Sequence, residues 1–495
     1  MAKGGKTMVV VVGGGCSGTL VTTQLLRQHP VRPLRVVMIE PKTVGRGIAY
    51  GTTCASHLLN SPAGTMSAYG EQPQHFVQWA RRRRPDTLES SFLPRGLYGD
   101  YLRSVLADAM AAAPRSTSLS RTRGEVVAVN FRRGSQKALV GLADGGHIEA
   151  DRVILAIGNL PPAHPRGADA RLLRNPRYVA DPWKPGGLSE VSGSVLLIGT
   201  GLTALDVALA LEDQGHTGPV HAVSRRGLLP RAHLERTPVS GTDVRERLEP
   251  AAFEGHPSVR QVLTIVRSRA RRTGDWRSAV DDLRLQTPRI WASFSEEERS
   301  RFLRHAHRYW EVHRHRMAPE VARRVAAMSS SGRLVVHTGA VERFEDRPEQ
   351  IRAVLRRRPP PATDALDVSY VVNCTGPQSD VTAAGNRLLD NLLVSGRIRA
   401  GSMGLGIDVD PAGAVRDVHG GSDRVLWAIG PLCRGALWEA TAVPEIRSQA
   451  ARLAALVADH SDINAGGEIP PISAAVDLEG TTGAGRLGEV SRIVA

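Results

Sequence analysis

Residues 8–18 read Met8-Val9-Val10-Val11-Val12-Gly13-Gly14-Gly15-Cys16-Ser17-Gly18, and this stretch decides the fold. Five apolar residues in a row, four of them β-branched, are the pattern of a strand buried on both faces. Glycines stand at the first, third and sixth places of 13–18. A helical run over 19–28 follows, and then a second apolar strand over 34–39 that stops at Glu40. The spacing has a chemical logic. Gly13 permits the tight turn, Gly15 lets backbone approach a pyrophosphate, and Gly18 lets helix and strand pack closely. The helix N-terminus then stabilises the anion, and Glu40 is placed to accept hydrogen bonds from an adenosine ribose.

After Glu40 the chain does not return at once to a third strand. It enters the glycine-rich loop Gly45-Arg46-Gly47-Ile48-Ala49-Tyr50-Gly51 and then His57-Leu58-Leu59-Asn60-Ser61-Pro62-Ala63. A loop that leaves the sheet to wrap an isoalloxazine ring points to FAD rather than NAD. His57 and Asn60 are the candidate catalytic side chains of this loop. A cofactor contact or a hydrogen-bonded structural role for His57 stays open.

A second fingerprint lies at Gly199-Thr200-Gly201-Leu202-Thr203-Ala204, behind a buried strand over 194–198 and ahead of a helix through 206–214. The next strand, 220–223, ends in Ser224-Arg225-Arg226-Gly227, with no acid. Cations here pair with a ribose 2′-phosphate where a carboxylate would repel it, so NADPH is expected over NADH. Gly199, Gly201, Thr203, Arg225 and Arg226 are its expected contacts. The bland alternative for the two arginines is an exposed position in an arginine-rich chain.

The two fingerprints sit in an internal repeat. β-rich segments over 124–142 and 333–354 each lead to a buried strand ending in glycine, 151–158 and 370–376. The expected fold is therefore α/β, with two nested Rossmann-like dinucleotide-binding domains. The flavin domain takes 1–187 and 377–460, the NADPH domain takes 188–376, and 461–495 is a tail. Residues 240–330 read as a helical insertion. Within it Ser295 and Glu298 form a capping-box pattern, and a helix is expected to run to Met317, with Phe302, Leu303, Ala306, Tyr309, Trp310, His313 and Met317 on one face. His313-Arg314-His315-Arg316 at its end is either a capping group facing solvent or a holder of a substrate carboxylate, with Arg314 and Arg316 as the binding arginines. A last strand, 425–430, runs through Gly430 to Ala442 and a helix with Pro444 in its first turn, aimed at the pyrimidine end of a flavin.

Composition narrows the class. The chain has 495 residues and 41% hydrophobic content, room for two to three domains. No apolar run reaches the length of a membrane span, and the short apolar start leads straight into the phosphate loop, so a soluble cytoplasmic protein is expected. The net charge is +15, and only five of the 64 basic residues are lysine. Aromatics make up 4% and do not interleave with basic runs, so nucleic acid is not the expected partner. Cys16, Cys54, Cys374 and Cys433 are isolated, which argues against a disulfide framework, a metal site and a dithiol reductase.

Taken together, GGGCSGTL, VGRGIAYGT, HLLNSPAGTMS, FLPRGLYGDYL, GTGLTALDVALAL, SRRGLLPRAH, YWEVHRHRMAP, NCTGP and GALWEATAVPEIRSQA resemble the bacterial FAD-NAD(P)-binding protein family over about 8–455. Its best-understood branch resembles flavin N-monooxygenases, including L-aspartate N-oxygenases that form nitrosuccinate. The resemblance implies FAD contacts at Gly13, Gly15, Ser17, Gly18, Glu40, Tyr50, Asn60 and Met66. It also implies FAD and NADPH as cofactors, O2 and an acidic amino acid as small-molecule partners, and N-hydroxylation through a C4a-hydroperoxyflavin. Gly430-Pro431 departs from the Gly-Asp common in wider two-dinucleotide flavoproteins. A reductase without oxygenation and a non-catalytic redox sensor are the alternatives, and fold analogy alone does not choose among them.

Overall fold

In the computed structural model, which describes residues 6–131, 137–235, 248, 253–357 and 363–458, strand β1 (Thr7–Val12) buries Val9, Val10 and Val11 completely. Helix α1 (Cys16–Leu26) follows directly. It starts three residues before the expected position, because Gly15 is extended and its carbonyl already accepts the Thr19 N–H at 2.9 Å. Then come β2 (Leu34–Ile39), α2 (His75–Arg81), α3 (Arg95–Ala112) and β3 (Thr117–Thr122). An antiparallel meander of β4 (Val126–Phe131), β5 (Ala138–Leu142) and β6 (His147–Ala150) precedes β7 (Arg152–Leu155), which pairs parallel with β1.

The chain now leaves this sheet. It passes through α4 (Ala170–Arg174), β8 (Tyr178–Val179), β9 (Val195–Ile198), α5 (Leu202–Asp213) and β10 (Val220–Ser224). The helices α6 (Val259–Thr273), α7 (Trp276–Ser293), α8 (Glu296–Arg301), α9 (His307–Arg314) and α10 (Pro319–Ser330) follow. The strands β11 (Leu334–Asp346), β12 (Ile351–Arg357), β13 (Thr363–Val368) and β14 (Tyr370–Asn373) complete a seven-stranded sheet ordered β13-β12-β11-β10-β9-β14-β8. Only then does the chain return, through α11 (Arg387–Val394), to β15 (Leu426–Ala428) and α12 (Val443–Ala458). β15 closes the first sheet in the order β15-β7-β1-β2-β3, with parallel pairing throughout. The second dinucleotide unit is thus nested inside the first.

The repeat is accurate at the level of single hydrogen bonds. Gly13 N–H donates to the Ile39 carbonyl and Gly199 N–H to the Val223 carbonyl, both at 2.8 Å. Both glycines have positive φ, 101° and 124°. A Cβ on Gly13 would stand 2.5 Å from the Ala156 carbonyl oxygen, and one on Gly199 would stand 2.4 Å from that of Cys374. Each first glycine is therefore required twice over, by conformation and by the neighbouring strand end.

Two expectations about the helices are corrected. β10 and β11 are parallel, and α10 is the crossover between them, with Val321, Val325 and Met328 in the core of the second unit. The inserted helices therefore end before Pro319, not near 330. The helix capped by Ser295 is also not continuous. A π turn at Phe302–Ala306 separates α8 from α9, and α9 stops at Arg314. The extra residue in a π turn advances the face that follows it. Tyr309 consequently points outward, 46% exposed, while Val312 and Arg314 turn inward. Only half of the capping box forms. The Ser295 hydroxyl accepts the Glu298 N–H at 3.3 Å, but the Glu298 carboxylate reaches across to the N–H of Val259 at 2.7 Å. The segment 461–495 lies outside the described residues.

Candidate functional site

The first unit builds a cradle at the C-terminal ends of its strands. One Glu40 oxygen accepts the Gly14 N–H at 2.7 Å and the other accepts the Lys42 N–H at 2.9 Å. This fixes the carboxylate at the mouth of the loop and leaves lone pairs for hydroxyl donors. Above the start of α1, a Cβ on Gly15 would meet only Gly47, at 3.5 Å. The return segment closes over Ser17: Gly430 has φ 79°, and a Cβ there would come 2.4 Å from the Ser17 hydroxyl. Its N–H donates to Gln449 on α12 at 3.2 Å. Ala442 lies immediately before α12. Tyr50 packs on Tyr98 with ring centroids 4.7 Å apart, and Met66 is buried in the apolar core beside Leu59 and Ala63.

The second unit repeats the cradle. Gly201 is the extended residue before α5, and a Cβ on it would meet nothing within 4 Å. Thr203 lies in the first turn of that helix. Thr200 ties the loop down, its hydroxyl donating to the Leu228 carbonyl at 2.6 Å. Arg225 and Arg226 are both exposed after β10. Arg226 donates to the Tyr309 hydroxyl at 3.0 Å and lies over its ring. Arg225 is held below the usual arginine range by burial first, then by Arg308, Arg166 and Arg226. No ion pair to any of Arg166, Arg225, Arg226 or Arg308 is found among the described residues. Four guanidinium groups thus share one corner, a field that attracts anions.

A seam joins the two units. Arg95 at the start of α3 makes a two-pronged contact with Asp206 on α5, at 2.6 and 3.3 Å. His57 belongs to this seam. Its Nδ1 bonds the Thr52 hydroxyl at 2.7 Å and its Nε2 bonds the Asp206 carbonyl at 3.0 Å. Burial lowers its pKa. With both ring nitrogens engaged, His57 sits here as a hydrogen-bonded member of the seam, the structural alternative left open for it above. Sequence reading missed Arg95 and Asp206. The signal was there: Asp206 is the one acid inside the apolar run 202–211, and a buried charge needs a partner.

Asn60 receives the insertion. Its carbonyl accepts from His233 Nε2 at 3.0 Å. The segment around His233 runs beside the end of α9, with His233 N–H to the Met317 carbonyl and Met317 N–H to the Arg231 carbonyl at 2.9 and 2.7 Å. The helices α6, α7 and α9 share a core with the return segment, where the Trp291 and Trp438 rings lie tilted at 32° with centroids 4.5 Å apart and Trp291 Nε1 donates to the Gly435 carbonyl. Arg284 binds both oxygens of Glu445 in the first turn of α12. Glu311 faces His307, His315 and Arg434.

Residues 10–160 match the family model described as FAD-NAD(P)-binding. No curated protein matches the chain by sequence. Solved structures align over nearly its whole length. The ornithine N-hydroxylase of Kutzneria sp. 744 is 15% identical with a TM-score of 0.62, covering 92% of this chain and 99% of that one. L-lysine 6-monooxygenase of Pseudomonas syringae is 16% identical with a TM-score of 0.61, covering 91% and 98%. The cadaverine monooxygenase of Erwinia amylovora is 12% identical with a TM-score of 0.59, covering 97% and 99%. The architecture is thus the α/β FAD- and NAD(P)-binding fold in which these flavin-dependent N-hydroxylases are built. Among the described residues no helix is long and apolar enough to cross a membrane.

Arg314 and Arg316, expected either to hold a substrate carboxylate or to face solvent, do neither. Arg314 is buried and paired with Glu439 at 3.1 Å, and Arg316 is buried and paired with Asp281. Arg314 is neutralised by a buried carboxylate, which leaves it no free charge for another; the Asp281 carboxylate on Arg316 is half exposed. His313 Nδ1 meets the Tyr309 carbonyl at 2.7 Å, an ordinary contact within one helix.

Proposed function

We propose that this chain is an FAD- and NADPH-dependent monooxygenase that hydroxylates the nitrogen of a small amine bearing a carboxylate, with aspartate as the first candidate. In that reaction NADPH and O2 are consumed, one oxygen atom enters an N–H bond, and the other leaves as water. The observation that carries the reading is the pair of matched cradles joined at Asp206 and roofed by an inserted helical layer that packs on the return segment. FAD, when bound, supplies the redox chemistry, taking electrons from NADPH and activating O2.

The residues fit both groups. The starts of α1 and α5 offer backbone N–H groups at Gly15, where only Gly47 comes within 4 Å of an added Cβ, and at Gly201, where nothing does. Glu40 is fixed to receive ribose hydroxyls. Arg225 and Arg226 await a 2′-phosphate, which supports NADPH over NADH. The aromatic layer of Trp291, Phe302 and Trp438 excludes water from the return segment. The test is coupled turnover on FAD-loaded protein: NADPH oxidation and hydroxylated product, by mass spectrometry, across a panel of amino acids and diamines. Product formed in step with NADPH supports the reading. NADPH oxidised with no oxygenated product from any amine makes the protein a reductase.

A further inference from the structure

The arginines that the inserted layer turns toward the flavin domain are mostly committed. Arg284 is taken by Glu445, Arg314 by Glu439 and Arg316 by Asp281. Arg277 differs. It is the second residue of α7, and its own backbone N–H is held by the capping carboxylate of Asp275 at 2.9 Å. Its Nε donates to the Ala232 carbonyl at 3.2 Å, and its guanidinium lies 4.5 Å from the Trp276 ring centroid. No ion pair to Arg277 is found among the described residues. One edge of the fork is thus anchored and oriented, while among the described residues no carboxylate pairs with its two terminal nitrogens.

Its place matters as much as its state. Ala232 precedes His233, whose Nε2 bonds the carbonyl of Asn60 in the flavin-wrapping loop at 3.0 Å. Trp276 packs edge-on against His313 at 4.9 Å. Arg277 therefore stands where the inserted layer meets the flavin loop. Its surroundings favour an anion. Burial, Arg316 and Arg231 all work against its positive charge, and Asp275 and Asp281 offset them only in part, since Asp275 caps the helix and Asp281 is paired with Arg316.

We propose that Arg277, oriented by the Ala232 carbonyl and flanked by Arg231, is the anchor for the substrate carboxylate, which makes it the residue that selects acidic amines at this site. This rests on the monooxygenase reading for the identity of the substrate, but not for the binding itself. A planar guanidinium with two parallel N–H bonds fits a carboxylate in a way that an ammonium does not. Once held, the carboxylate fixes where the amine can sit.

The experiment uses FAD-loaded protein with NADP+ present and two probes, aspartate and its nitrogen-free analogue succinate, in titration calorimetry. Wild type is expected to bind both, Arg277→Gln to lose ten- to hundredfold, and Arg277→Lys to fall between. Both variants should still fold with FAD bound, at a melting temperature lowered no more in Arg277→Gln than in Arg277→Lys, and reduction of the flavin by NADPH should persist in both. Equal binding of the acids by wild type and Arg277→Gln, or no binding of either acid by wild type, overturns the proposal. The two readings fail separately. Acid binding that depends on Arg277, with no oxygenated amine ever formed, sinks the monooxygenase and leaves the anchor. Turnover of neutral amines without acid binding does the reverse.

Discussion

The Arg314 guanidinium lies 3.1 Å from the Glu439 carboxylate, and both side chains are almost wholly withdrawn from solvent. The pair ties the end of α9 to the return segment of the flavin domain. Arg314→Ala leaves a buried carboxylate without its cation, a change that costs about 3–5 kcal/mol. The expected result is a lower melting temperature and weaker retention of FAD. Combining Arg314→Met with Glu439→Gln should recover most of the stability, because no isolated charge remains. A variant as stable as wild type that merely raises the KM for an acidic substrate would restore the substrate role first expected of Arg314.

The coenzyme corner gives the second prediction. Arg225 sits among Arg308, Arg166 and Arg226, three like charges drawn from separate segments. Replacing Arg225 with Ala should weaken binding of 2′,5′-ADP by roughly ten- to hundredfold, since a hydrogen bond to a charged group is worth about 1.5–3 kcal/mol. Binding of 5′-AMP, which lacks the 2′-phosphate, should hardly change. Added salt should erode the difference, because these side chains are exposed. Equal losses for both nucleotides would mean that the cluster does not read the phosphate.

The sequence carried the fold far because nucleotide cradles are encoded locally. Gly13 and Gly199 each sit between a β-branched strand and a helix, and the repeat around them fixes nesting. Glu40 and Arg225 could be placed because each falls at a strand end. What was not legible depends on contacts between distant segments. The role of Arg314 is decided by Glu439, 125 residues away, and that of His57 by Asp206, 149 residues away. Helical periodicity also assumes an unbroken helix, so the π turn at Phe302–Ala306 turned Tyr309 outward while Trp310 kept its place against the core. Arg277 was invisible for a related reason. In a chain with so many arginines, what sets it apart is its contact with the Ala232 carbonyl, 45 residues away, together with the lack of an ion pair among the described residues.

Gly15 tests the first cradle without confusing folding with binding. Gly13 could not serve, because a side chain there strikes the Ala156 carbonyl. At Gly15 φ is −70° and ψ is −157°, values open to any residue, and the nearest obstacle is Gly47 at 3.5 Å. Gly15→Val should therefore fold and yet lose FAD, since its branches fill the space where a pyrophosphate approaches the helix start. The readout is the visible spectrum of the purified protein beside its melting curve. A folded, fully yellow variant would remove the flavin from this loop.

His233 supplies a prediction about pH. Burial first, and then the neighbouring Arg316, push its pKa down to about 4 from the usual 6.5, although the hydrogen bond to Asn60 and the nearby Asp281 act the other way. The unfolded chain therefore binds a proton between those two values that the folded chain does not. Stability must fall as pH drops through that window, by at most about 1.4 kcal/mol per pH unit from this group, and the group contributes no pH dependence above it. His233→Gln retains an N–H for the Asn60 carbonyl and cannot titrate. Its denaturant midpoint should match wild type at pH 7.5 and exceed it at pH 5. The comparison must be a difference between the two proteins, because burial also lowers the pKa of His57, His75, His216 and His221 and makes both acid-sensitive. Parallel pH profiles for the two proteins would show that His233 titrates alike in the folded and unfolded chains, and with it that folding does not bury it as described.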